Sequence, residues 1–147
     1  MHFEGRVEIK ANRDTVWGFL TNPEAVAKCA PGVESMEIVV PDEKFKAVAS
    51  IGLGNLKVRF NADVEWTELD APNKAALKAH GTAPGSATDV TATMALSDGD
   101  EGSTFLDWTA EISVLGTIAS LASRMMGSVT EKLTQEFFDC MKAQIEA

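Results

Sequence analysis

Apolar and polar residues follow two different periods along this chain. Between Val33 and Leu115 they alternate with a period of two, which is typical of half-buried strands. Between Thr117 and Glu146 apolar residues recur every three or four positions, which predicts one long amphipathic helix. At a rise of about 1.5 Å per residue this helix is roughly 45 Å long, so its apolar stripe needs a sheet surface to cover it.

Seven strands are predicted, each followed by turn residues or by a helix. Six of them lie in the period-two region, over residues 33–40, 45–51, 56–69, 74–83, 86–96 and 104–115, and one precedes it over residues 3–10. Pro84-Gly85 is typical of the short turns between them. We therefore predict an antiparallel meander with the first strand at one edge.

Two short helices are predicted between the first strand and the second. Asn12 or Asp14 can cap the first helix, which ends at Leu20. Asn22-Pro23 starts the second, because proline is well tolerated in a first helical turn, and Pro31-Gly32 ends it.

The side chains on the inward faces of the strands differ in size. Two of these faces carry large apolar residues, such as Phe60, Trp66 and Trp108, whereas three others are rich in alanine. Since protein interiors are close-packed, either the helix approaches the alanine-rich faces closely or another molecule fills the space. Two interpretations stay open at this point, namely a container for a small apolar molecule and a fully packed α+β core.

Composition excludes several classes of function. The net charge of −9 and the pI of about 4.6 oppose binding to nucleic acid, which requires Lys and Arg against phosphate. They also oppose steady attachment to an anionic membrane by charge alone.

No metal or cofactor is expected, because neither the two cysteines nor the two histidines have metal-ligand spacing. The start of the chain predicts no secretory signal, and Cys29 and Cys140 are expected to be reduced core thiols of a cytoplasmic protein.

The order of elements resembles the helix-grip fold of the START/Bet v 1-like (SRPBCC) superfamily. Within it, the segment from Cys29 through Pro31-Gly32-Val33 to Glu37 resembles the CxPGVxxxE signature of the CoxG family, named after the G subunit of carbon monoxide dehydrogenase. Residues 116–124 and 131–138 resemble the terminal helix of that family. The resemblance covers essentially the whole chain.

This resemblance implies an accessory protein and not an enzyme. Family members are encoded with molybdenum hydroxylases of the carbon monoxide dehydrogenase type, and the cavity of the fold suits a quinone or another lipid-like molecule. Some members carry a membrane-anchoring tail after the domain, whereas this chain ends at Ala147. We therefore expect no stable membrane anchor and a cytoplasmic location, with at most transient contact at the inner face of the membrane.

A cavity beneath the helix would be lined by inward strand positions and by the helical stripe. The residues predicted to line it are Trp66, Leu77, Met94, Trp108, Ile118, Met125, Met126 and Val129. Each of them is equally compatible with a plain core role. Leu53, between Gly52 and Gly54, is interpreted either as a mobile lid at the cavity opening or as part of a flexible turn.

A second apolar line on the terminal helix consists of Phe138, Met141 and Ile145. It fits a partner protein, a second copy of this chain or, as we favour, packing against the two short helices. Catalysis is not expected, because no histidine occupies an inward position where it could act as a general base. The interpretation is a binding protein for a hydrophobic molecule beside a molybdenum hydroxylase. The alternatives are an assembly factor for that enzyme with a filled core and, less favoured, a cyclase or hydrolase.

Overall fold

The computed structural model describes residues 1–146 as a seven-stranded antiparallel sheet with three α-helices. The strands are β1 (His2–Ile9), β2 (Val33–Val40), β3 (Lys44–Leu53), β4 (Leu56–Asp70), β5 (Lys74–Ala83), β6 (Ser86–Asp98) and β7 (Thr104–Gly116). The helices are α1 (Arg13–Leu20), α2 (Pro23–Cys29) and α3 (Ala119–Ile145), and a short 3₁₀ turn (Asp100–Gly102) precedes β7. The spatial order of the strands, β1-β7-β6-β5-β4-β3-β2, confirms the predicted meander and the edge position of β1.

Local capping explains where the short helices begin. The side chain of Asn12 accepts a hydrogen bond from the amide of Thr15 at 2.8 Å, so Asn12 is the cap of α1. The side chain of Asn22 accepts from the amides of Glu24 and Ala25 in the same way, and Pro23 occupies the first turn of α2.

Gly32 brings the chain from α2 onto the sheet. Its φ of +82° lies in the left-handed region, and an added Cβ atom would lie 2.2 Å from the carbonyl oxygen of Ser50. The amide of Ser50 donates to the carbonyl oxygen of Gly32 at 2.8 Å. The Pro31-Gly32 motif therefore allows a close approach between β2 and β3 that any side chain at position 32 would prevent.

Several element boundaries differ by one or two residues from the predicted ones, and two of these differences bear on the site. Leu53 pairs with Leu56 at the end of the β3–β4 hairpin, so it belongs to a strand and only Gly54-Asn55 forms the turn. α3 begins at Ala119, two residues later than predicted, because the amide of Thr117 donates to the carbonyl oxygen of Gly85 at 3.0 Å. The β7–α3 connection is thereby tied to the β5–β6 turn.

The buried residues form two separate clusters. The larger one joins α1, α2 and the C-terminal part of α3 to the sheet, and it includes Ile9, Val16, Leu106 and the fully buried Met141. Phe138 and Ile145 pack against this cluster, which confirms that the second apolar line of α3 covers the short helices. The smaller cluster of Leu53, Val58 and Ile118 lies where α3 begins.

The prediction that the cysteines are reduced thiols is wrong. Cys29, the last residue of α2, and Cys140 of α3 form a disulfide bond, with their Cα atoms 5.4 Å apart. The two residues are separated by 111 positions in the sequence, and only the packing of α2 against α3 brings them together. Their predicted burial is confirmed for Cys29, which is 5% exposed, but burial alone does not reveal a nearby second thiol.

Candidate functional site

A cavity of about 250 Å³ lies between the sheet and the second half of α3. Four of the predicted residues meet on its sheet side, namely Trp66, Leu77, Met94 and Trp108. They come from β4, β5, β6 and β7 and share the inward face because each is opposite an inward residue of the neighbouring strand. Strand alternation therefore predicts correctly that these four residues are neighbours on one face of the sheet. Their contact with a ligand stays a prediction.

The helix side of the cavity consists of residues that the sequence pattern does not single out as ligand contacts. They are Thr130, Thr134, Phe137 and Phe138, and Leu20 of α1 closes the adjoining end. The hydroxyl of Thr134 donates to the carbonyl oxygen of Thr130 at 2.9 Å. This hydroxyl is thus satisfied within the helix, and the cavity offers mainly methyl groups and aromatic rings to an occupant.

The other five predicted residues lie elsewhere. Leu53, Ile118 and Val129 belong to the smaller cluster, with Leu53 only 2% exposed. Met125 is adjacent to the β3–β4 turn, since a Cβ atom added at Gly54 would lie 3.2 Å from its sulfur. Met126 is half-buried and outside the cavity lining. Their roles as ligand contacts, lid or gate stay predictions.

Trp108 owes its position to a glycine on the neighbouring strand. Gly5 of β1 is directly opposite Trp108 of β7, and an added Cβ atom at Gly5 would lie 2.8 Å from Nε1 of the indole. The ring therefore occupies the space that a side chain on β1 would take. The missing side chain at Gly5 thus shapes the cavity wall.

Aromatic packing fixes the opposite wall. The rings of Phe137 and Phe138 meet edge to face at 5.4 Å between centroids, and Phe137 meets Phe19 of α1 in a similar geometry at 6.3 Å. Cys140 follows two residues later and is bonded to α2. The helix is thus anchored immediately beside the cavity.

Among residues 1–146, none of the side chains that line the cavity is ionisable. General acid–base chemistry therefore has no candidate group there, and the lining offers mainly apolar surface to any occupant. Over the same part of the chain, no group of three or more His, Cys, Asp or Glu residues is arranged to hold a metal ion.

Two clefts flank α3 on its opposite sides. One, of about 270 Å³, lies between α3 and β1 and shares Trp108, Thr134 and Phe138 with the cavity, so it adjoins the cavity directly. The other, of about 190 Å³, lies between α3 and β3 and contains Lys132 and Glu136. Charged side chains are thus available at the edges of the site but not inside it.

A larger depression of about 570 Å³ lies on the outer face of the sheet over β3–β6. Its rim is charged, and the charges are largely paired, with Lys78 Nζ 3.5 Å from the Glu65 carboxylate and His80 Nδ1 2.6 Å from the Asp89 carboxylate. The smaller inner cavity offers the better site for a hydrophobic molecule, because its surface is almost entirely apolar.

An ion pair on the outer face supports the β1–β7 edge next to Trp108. Arg6 contacts both carboxylate oxygens of Asp107, at 2.7 and 3.0 Å, and its guanidinium lies 4.7 Å from the centroid of the Phe105 ring. The hydrogen bond from Arg6 holds the pKa of Asp107 below its usual value. The ion pair thereby stabilises the strand register in which Trp108 lies opposite Gly5.

The sheet, the long helix α3 and the apolar cavity between them define the fold as a helix-grip fold of the START/Bet v 1-like type. The aromatase/cyclase Zhui of Streptomyces sp. R1128 has the same fold, with a TM-score of 0.76 at 18% identity over 99% of this chain and 93% of that chain. A START superfamily protein of Mycobacterium smegmatis gives a TM-score of 0.71 at 12% identity, over 99% and 97% of the two chains.

Within this fold class, the chain can be assigned to one family. The family model of CoxG, the G subunit of carbon monoxide dehydrogenase, matches residues 5–146, and the chain belongs to this family. A conserved protein of Geobacillus kaustophilus is 27% identical, with a TM-score of 0.91 over 99% of this chain and 95% of that chain. No curated protein matches the sequence. Among the described helices, none is both long enough and apolar enough to cross a membrane.

Proposed function

We propose that this protein is a non-catalytic binding protein that holds a hydrophobic small molecule, a quinone or a lipid-like compound, between the sheet and α3. In this role it serves as an accessory to a molybdenum hydroxylase of the carbon monoxide dehydrogenase type. The observation that carries the proposal is the cavity of about 250 Å³ with an almost wholly apolar lining.

The distribution of buried residues supports this function. The two clusters pack the ends of the space beneath α3, whereas inward residues between them, such as Val64, Ala79 and Val90, stay only half-buried. A filled core would bury these positions more completely, because interiors approach crystal-like density. The assembly-factor alternative with a filled core therefore fits this arrangement less well.

The lining suggests which part of a ligand enters. Pockets for small molecules usually measure about 300–1,000 Å³, so a cavity of about 250 Å³ accepts one ring system or a short isoprenoid segment. Trp66 and Trp108 offer flat faces to such a ring. The polar groups of the ligand would lie towards the flanking clefts, where water and charged side chains are available.

The test combines extraction with titration. Purified protein prepared without detergent is extracted with organic solvent and analysed by mass spectrometry, and short-chain quinones are titrated against tryptophan fluorescence. We expect a co-purifying apolar compound or saturable quenching. Trp108→Leu should weaken quinone binding, while the control Trp17→Phe should not, because Trp17 packs against the larger cluster outside the cavity lining. An empty protein that ignores quinones and lipids but co-purifies with the dehydrogenase would favour the assembly factor.

A further inference from the structure

The cavity beneath α3 continues into one of the two clefts beside that helix. The cleft between α3 and β1 shares Trp108, Thr134 and Phe138 with the cavity, whereas the cleft between α3 and β3 shares no residue with it. The cavity and the first cleft, of about 250 and 270 Å³, are each smaller than the roughly 300–1,000 Å³ of a usual ligand site, but together they fall within that range. We call the cleft between α3 and β1, whose wall includes Gly5, Trp108 and Lys142, the Gly5 cleft.

The indole N–H of Trp108 is a hydrogen-bond donor without a partner, at the boundary between the cavity and the Gly5 cleft. Trp108 is half-buried, and its Nε1 atom forms no hydrogen bond within residues 1–146. Over the same part of the chain, no buried side-chain nitrogen or oxygen atom lacks a partner, so Nε1 must be open to solvent. Gly5 keeps it open, because a Cβ atom at that position would lie 2.8 Å from Nε1.

Lys142 of α3 supplies a second donor to the Gly5 cleft. It is half-buried, and it takes part in none of the ion pairs formed among residues 1–146. The exposed polar side chains of the cleft are already engaged, since Arg6 binds Asp107 on the outer face and the amide of Gln135 donates to Asp139 at 2.9 Å. The cleft therefore presents two unpaired donors at half-buried positions.

An apolar cavity beside two unpaired donors fits one class of ligand. The cavity accepts a ring or a short chain, because its lining is almost wholly apolar. The indole N–H and the ammonium group are donors only and need an oxygen acceptor, which a carbonyl or a carboxylate provides. Burying such an oxygen without a partner would cost free energy, so the two donors decide whether a ligand with a polar head can enter.

We propose that the Gly5 cleft is a head-group subsite, which selects a ligand that carries a carbonyl or carboxylate oxygen on an apolar body. The indole N–H of Trp108 and the ammonium group of Lys142 donate to this oxygen while the body lies in the cavity. The subsite rests on the proposed function, because it requires the cavity to hold a ligand. It deepens that function by stating which end of the ligand is recognised and by which chemistry.

The test is equilibrium dialysis of the purified full chain against three compounds with one skeleton, namely tetralin, its ketone tetralone and the corresponding tetrahydronaphthoate. We expect tetralone to bind at least as tightly as the more apolar tetralin, because an unpaired carbonyl would weaken its binding about tenfold. Lys142→Met and Trp108→Phe each remove one donor and should lower the affinity for tetralone about tenfold relative to that for tetralin. The matched comparison is Lys132→Met, which removes an exposed lysine of the same helix from the cleft between α3 and β3; it should leave this ratio unchanged.

The outcomes separate the head-group subsite from the proposed function. Binding of tetralin about tenfold more tightly than both oxygenated compounds, or an equal effect of Lys142→Met and Lys132→Met, would overturn the subsite and leave the proposed function intact. Failure of all three compounds to bind would overturn both. Within the subsite proposal, tighter binding of the carboxylate that is lost in Lys142→Met would identify the ligand as an acid, and tighter binding of the ketone would identify it as a neutral carbonyl compound. Circular dichroism checks that each variant is folded.

Discussion

The disulfide bond between Cys29 and Cys140 leads to the largest predicted effect on stability. It closes a loop of 111 residues. In the loop-closure model, a cross-link of this length lowers the entropy of the unfolded chain by about 16 cal/mol/K, which corresponds to about 4.8 kcal/mol at 25 °C. Domains of this size are stable by only about 5–15 kcal/mol, so loss of the bond should remove a large part of the free energy of unfolding.

The assay is urea unfolding followed by circular dichroism, with and without a thiol reductant. We expect reduction to lower the midpoint strongly in the wild-type protein, and Cys140→Ser to lower it by a similar amount. The double variant Cys29→Ser, Cys140→Ser is the control, because a reductant should not affect it. The reasoning would be refuted if the purified protein contained two titratable thiols, or if reduction changed the free energy of unfolding by less than about 1 kcal/mol, well below the range for native disulfides.

Three further predictions concern local features. Gly5→Ala places a methyl group 2.8 Å from Nε1 of Trp108, so urea unfolding should show a loss of about 1–3 kcal/mol together with a shift in tryptophan emission; an unchanged spectrum would contradict the contact. Asn12→Ala removes the cap of α1 and should cost about 1 kcal/mol, whereas a neutral result would mean that another group caps the helix. Because the pKa of Asp107 is lowered in the folded protein, its pair with Arg6 stabilises the fold at pH values above the ordinary carboxyl pKa of about 3.9. This stabilisation is lost as the pH falls through the folded-state pKa. The melting temperatures of the wild type and Asp107→Asn should therefore differ at neutral pH and converge in acid, and a constant difference would contradict this.

Most of the fold is predictable from the sequence because its rules are local. Alternation along a strand determines which residues share a face, and Asn22-Pro23 or Pro84-Gly85 specify a helix start or a turn within a few residues. The two glycines that flank Leu53 predict a turn there, yet its pairing with Leu56 extends the hairpin. The disulfide bond escapes prediction for a different reason, since it depends on how α2 packs against α3, and no local pattern records that contact.

The candidate site shows the same division between local and global information. Trp66 and Trp108 can be assigned to the inward face of the sheet from strand parity alone, because successive side chains of a strand point to opposite faces. The helix wall depends instead on which turn of α3 crosses the middle of the sheet. That position is set at one end by the bond to Cys29 and at the other by the hydrogen bond between Thr117 and Gly85, so Met125 falls beside a turn and not over the cavity.

Thr130 and Thr134 illustrate why the helix wall is hard to predict. A hydropathy pattern counts threonine as polar, and the two residues interrupt the apolar stripe that defines the expected lining. Once the hydroxyl of Thr134 donates to the carbonyl oxygen of Thr130, however, its methyl group is the part of the side chain left for other contacts. β-branched side chains also keep few rotamers in a helix, so such a wall is stiff. On the helix side, Thr130 and Thr134 therefore leave more of the cavity open than the larger and more flexible side chain of methionine would.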